Sequence, residues 1–74
     1  DKQLRALDRK IAACEESIAR LEAAVSAANE KISRGDVKPE MVKQMAMDSE
    51  ELQKLEETWI GLAAEKERLS GAFS

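Results

Sequence analysis

The stretch that decides the fold runs from Leu4 to Ile32, LRALDRKIAACEESIARLEAAVSAANEKI. Steps alternating between three and four residues land on Leu4, Leu7, Ile11, Cys14, Ile18, Leu21, Val25, Ala28 and Ile32, and all nine are apolar. The residues between them are mostly Glu, Lys, Arg, Ala and Ser. A 3.5-residue repeat held over about four heptads is the pattern of a coiled-coil helix. Heptad lettering puts Leu4, Ile11, Ile18, Val25 and Ile32 at a, with Leu7, Cys14, Leu21 and Ala28 at d.

Outward from this stretch, the helical pattern breaks only at Ser33-Arg34-Gly35-Asp36-Val37-Lys38-Pro39. Gly35 suits the left-handed position just past a helix end, and Arg34 faces the negative end of the helix dipole. Pro39 suits the first turn of a new helix, where its missing amide proton has no partner to lose. Glu40 beside it complements the positive dipole end, and Lys38 is pushed out of helical dihedrals by the proline that follows. The pattern therefore predicts helix 1 over residues 2–33, a turn over 34–38 and helix 2 over 39–70, a single helical hairpin.

Helix 2 continues the repeat through Met41, Met45, Asp48, Leu52, Leu55, Trp59, Leu62, Lys66, Leu69 and Phe73, with Asp48 and Lys66 as polar interruptions. If the two helices run antiparallel, facing residue numbers share a constant sum, here about 73, and every layer sets an a residue against a d residue. Ile32 then faces Met41, Ala28 faces Met45, Leu21 faces Leu52, Ile18 faces Leu55, Cys14 faces Trp59, Ile11 faces Leu62 and Leu4 faces Leu69. The small residues Ala28 and Cys14 meet the large Met45 and Trp59, as a packed core requires. Asp48 falls opposite Val25 and Lys66 opposite Leu7, where their polar ends can reach water at the seam edge. The predicted seam is thus Leu4, Leu7, Ile11, Cys14, Ile18, Leu21, Val25 and Ile32 against Leu52, Leu55, Trp59, Leu62 and Leu69.

A parallel dimer of helix 1 competes, because β-branched residues at a with Leu at d favour that arrangement. There Lys10 would face Glu15, whereas in the hairpin Lys10 near Glu65 attracts and Glu15 near Glu56 repels. Exposed pairs contribute only about 0–1 kcal/mol each. The turn residues and matched helix lengths outweigh that, and the expectation is the hairpin.

Composition limits how such a hairpin is stabilised. The chain has 74 residues, one cysteine and no histidine, so it can close no internal disulfide and build no zinc cluster. At this size one hydrophobic core supplies only about 3–5 kcal/mol. Charged residues make up 36%, apolar residues 43% and aromatics 3%, the bias of long helices. The net charge of −3 gives no general attraction to nucleic-acid phosphates or anionic membranes. Residues 1–34 carry seven basic and six acidic groups, and residues 35–74 five and nine. No apolar run has membrane-spanning length, no signal peptide opens the chain, and Asp1 at the start fits a piece of a longer protein.

One seam leaves the other faces uncovered. Alanines at 12, 19, 23, 24 and 27 offer a close-approach surface beside the helix 1 seam. Glu16–Arg20, Glu30–Arg34 and Glu50–Lys54 sit at the four-residue spacing that supports exposed helices. Association of hairpins into a four-helix bundle, or docking on another helical protein, is the expected state.

No catalytic constellation assembles. General acid–base work needs a histidine or tuned carboxylates, and the Glu15–Glu16, Glu50–Glu51, Glu56–Glu57 and Glu65–Glu67 clusters read as solvated helix faces. They lack the Glu-x-x-His layout of bundle metal sites. Cys14 reads as a small buried hydrophobe, with a redox thiol as the alternative. Trp59 reads as a core anchor, with a partner-facing hot spot as the alternative. Gly61 within a helix costs about 1 kcal/mol relative to alanine and suggests close approach of another helix. Met41, Met45 and Met47 read as seam filler.

The run LDRKIAACEESIARLEAAV (Leu7–Val25), the short turn and LEETWIGLAAEKERL (Leu55–Leu69) together resemble the C-terminal hairpin of F-subfamily ABC ATPases. There a tryptophan lies late in the second helix with a leucine three residues on, here Trp59 and Leu62. This chain departs from that pattern by lacking the aromatic and arginine just before the tryptophan, and it is less basic. The turn with Pro39 and Glu40, and a tryptophan about twenty residues later, is similar to coiled-coil subunits of the meiotic homologous-pairing heterodimer. These resemblances imply an accessory hairpin of a nucleotide-driven or nucleic-acid-handling protein. The residues themselves point to an all-α, antiparallel two-helix coiled-coil hairpin that is not an enzyme, takes no cofactor or metal, and mediates self-association or docking through its seam. A reducing, cytoplasmic setting fits the single thiol.

Overall fold

In a computed structural model, which describes residues 2–72, the chain forms two helices, α1 (Lys2–Ser33) and α2 (Pro39–Ala72), that pack side by side as a hairpin. Phe73, placed in the seam by the repeat, lies outside the described residues. No proline interrupts either helix after Pro39, and strong helix formers fill both. α2 runs two residues beyond the expected stop at 70, through Gly71 and Ala72.

The turn is built by its glycine. Gly35 has φ +86°, its N–H donates to the Ile32 carbonyl at 3.0 Å, and the Asp36 N–H donates to the Lys31 carbonyl at 3.0 Å. This pair of bonds is the Schellman motif, which satisfies carbonyls left over at the helix end. Lys38 is the N-cap of α2, since its carbonyl accepts the first helical bonds from Met41 at 3.0 Å and Val42 at 3.1 Å. Pro39 then occupies the first helical position, and Glu40 is the acidic residue of the first turn.

The molecule measures 54 × 15 × 14 Å. It is one helix-pair thick, and this decides its burial. Most seam residues are covered by the facing helix and left open above and below. Only Leu7, at 6% exposure, and Cys14, at 7%, are fully buried among the described residues. The other α1 seam positions, and Met41, Met45, Asp48, Leu52, Leu55, Trp59, Leu62, Lys66 and Leu69 of α2, are half-buried. Ser17 and Ala63 flank the seam and are half-buried with it.

Candidate interaction surface

Two polar contacts join the antiparallel helices. The Cys14 thiol donates to the Leu55 carbonyl at 3.2 Å, and Lys66 Nζ lies 2.6 Å from Asp8 Oδ1. The layer count sets Cys14 opposite Trp59, and the thiol's hydrogen-bond partner lies one turn earlier, on the backbone. A sulfur at a d position is close enough to the neighbouring helix to use its carbonyl as acceptor.

Lys66 and Asp48, the seam's two polar residues, are accommodated differently. Lys66 does more than reach water, because Asp8 on the adjoining flank of α1 pairs with it. Asp48 accepts a hydrogen bond from Gln44 Nε2 at 2.9 Å, so a neighbour one turn earlier on its own helix satisfies it. On the outer surface Arg34–Glu30 at 2.7 Å and Lys54–Glu50 at 3.7 Å form as their spacing implies. Arg20 turns instead to Ser17 Oγ at 3.3 Å, so Glu16 does not hold it.

Trp59 is half-buried in the α2 seam, yet its indole nitrogen is closed off from solvent and meets no acceptor. Leaving a buried N–H unpaired costs about 1–3 kcal/mol. The ring is therefore held by its apolar area, with its one polar atom unsatisfied.

Helical geometry divides the outer surface into two broad sides. The d positions of both helices lean toward the side that carries Lys10, Ser17, Thr58 and Glu65. An apolar groove opens there between the helices, bordered by Ala13, Cys14, Ser17, Leu55, Thr58 and Leu62. It continues toward the chain ends past Ala6, Leu7, Glu65 and Leu69, and Lys10 borders both sections. Within the helices this side carries Lys10, Arg20, Lys31, Lys54 and Arg68 against Glu40, Asp48, Glu51 and Glu65, a net +1. The opposite side carries Asp8, Glu15, Glu22, Glu56 and Glu67 against Arg5 and Lys66, a net −3. The acidic side also holds Ile60, 61% exposed, and Val42, 41% exposed.

Among the described residues no group of three or more His, Cys, Asp or Glu side chains is placed to hold a metal ion, and no helix is long and apolar enough to cross a membrane. The seam residues named from the repeat lie together along one continuous strip. The repeat did not single out Ser17, Ala63 or Asp8, which border the seam and share its burial or its one ion pair with Lys66.

Fold and surface together define a small all-α helical hairpin with a shallow core and two unlike broad sides. No protein-family model, curated protein or solved structure matches the chain.

Proposed function

We propose that the chain is a non-enzymatic helix-docking module, a coiled-coil hairpin that completes its core by self-association or against another helical protein. The observation that carries this reading is the burial pattern. A seam of nine apolar α1 positions and seven apolar α2 positions sends only Leu7 and Cys14 fully below the surface. Every other apolar seam side chain keeps part of its area in water. That area is available to a third or fourth helix at roughly 25 cal/mol per Å² removed from water.

Thermal melting at several protein concentrations, read by circular dichroism beside light scattering, tests the reading. Partner-dependent stability requires the midpoint to rise with the concentration of the partner, whether a second copy or an added helical protein. A fully helical monomer of 8.2 kDa that melts cooperatively at a concentration-independent midpoint would show that the hairpin is complete alone.

A further inference from the structure

We infer that the partner is a second copy of this chain, docked face to back, with the acidic side of one hairpin seated in the groove on the basic side of the next. This rests on the helix-docking reading and specifies its occupant.

Three observations support it. The solvent-accessible surface is 5681 Å², whereas a compact monomer of 8.2 kDa exposes about 4,500 Å². The excess, roughly 1,200 Å², allows about 600 Å² on each of the two sides that a doubly docked copy uses, the lower end of a standard interface at ~800 Å² per partner. The two sides also differ in charge, with a net +1 around the groove and −3 opposite. Lys10, Arg20 and Lys31 on the groove side have no carboxylate partner among the described residues, and neither do Glu15, Glu22, Glu56 and Glu67 a cation on the other. Like sides brought together would set unpaired charges of one sign against each other, and unlike sides pair them. Finally, the apolar features are complementary. The groove beside Ala13, Cys14 and Leu62 is shallow and mostly apolar, while the acidic side presents Ile60 as a knob, 61% exposed.

Contact between two different surfaces of one chain is heterologous. Each docked copy still offers a free groove and a free knob, so growth continues past the dimer unless a ring closes.

The test uses the full chain and two exposed single variants, Ile60→Glu, which replaces the knob, and Ala13→Glu, which fills the groove with bulk and acidic charge. Sedimentation velocity of the parent chain is expected to show growth beyond a dimer with concentration, weakened by added salt. Each variant alone is expected to associate at least about tenfold more weakly. An equimolar mixture is expected to form one-to-one heterodimers that grow no further, because one intact knob and one intact groove remain, while the other junction sets Glu against Glu. If a variant alone loses helicity, recovery of helicity on mixing is the same positive result. Thr58→Glu and Ile60→Gln provide a second pair, with the groove altered at another residue and the knob replaced without charge.

A closed dimer of the parent, a variant that assembles like the parent, or a mixture that stays monomeric overturns face-to-back docking and leaves the helix-docking reading standing. A weakly helical parent chain with no self-association also overturns it, the partner then being a different protein. A stable, cooperative parent monomer sinks both.

Discussion

Lys66 Nζ stands 2.6 Å from Asp8 Oδ1, so the one cation inside the seam is tied to the opposite helix instead of being left to solvent. The two side chains are 45% and 54% exposed, so water screens the pair and its contribution is about 0–1 kcal/mol. Asp8→Ala is therefore expected to lower stability by less than about 1 kcal/mol, with the difference shrinking as salt is added. Lys66→Leu extends the apolar seam and is expected to raise stability by about 1 kcal/mol. Urea midpoints for both variants, measured at low and high salt, check this. A loss of several kcal/mol in Asp8→Ala would mean that the pair holds the register and is not an accessory to it.

The hairpin was legible because its signals are periodic and local. The three-four spacing of Leu4 to Ile32, the left-handed preference of Gly35 and the helix-starting Pro39 each act within a few residues, and their effects agree. What lay beyond that spacing was whatever depends on side-chain direction across the seam. The Asp8–Lys66 pair joins a flanking position to a seam position, and the Cys14 thiol finds a backbone carbonyl, which carries no residue identity to read. Counting charge along the chain averaged the sides of each helix, so the division between acidic and basic surfaces emerged only once the flank positions were placed together.

Cys14 is 7% exposed and its thiol donates to the Leu55 carbonyl at 3.2 Å. Its modification by a thiol reagent is expected to require opening of the hairpin. The folded chain should thus react at least about tenfold more slowly than the urea-unfolded chain. Cys14→Ala is expected to cost about 1–2 kcal/mol through lost packing against α2. Equal reaction rates with and without urea would show that the groove beside Cys14 admits the reagent directly.

Trp59 separates apolar area from hydrogen bonding in one side chain. Its indole nitrogen is buried without an acceptor. Trp59→Phe removes that unsatisfied N–H together with part of the ring, and the two effects offset to within about 1 kcal/mol. Trp59→Ala loses the packing alone and is expected to cost about 2 kcal/mol or more. Denaturation midpoints of the two variants decide the matter. Trp59→Phe as damaging as Trp59→Ala would mean that the indole nitrogen has a hydrogen-bond partner in solution.

Gly35 and Gly61 respond to substitution in opposite ways, for reasons visible in their backbones. An added Cβ would meet nothing within 4 Å at either Gly35 or Gly61, so neither exists to avoid a clash inside the hairpin. Gly35 sits at φ +86°, which L side chains rarely adopt, and Gly35→Ala is expected to lower stability by about 1 kcal/mol. Gly61 has ordinary helical dihedrals within α2, so Gly61→Ala is expected to stabilise the monomeric hairpin by about 0.8–1 kcal/mol. Close approach of another helix, suggested by a glycine in mid-helix, does not come from α1. Gly61 lies on the groove side, near Glu65 and Arg68. Gly61→Ala is therefore the sharper of the two tests. With face-to-back docking that extends from the groove onto this flank of α2, it should raise helicity at low concentration and weaken association at high concentration. A variant that is more helical and associates as well as the parent would place the contact elsewhere along the groove.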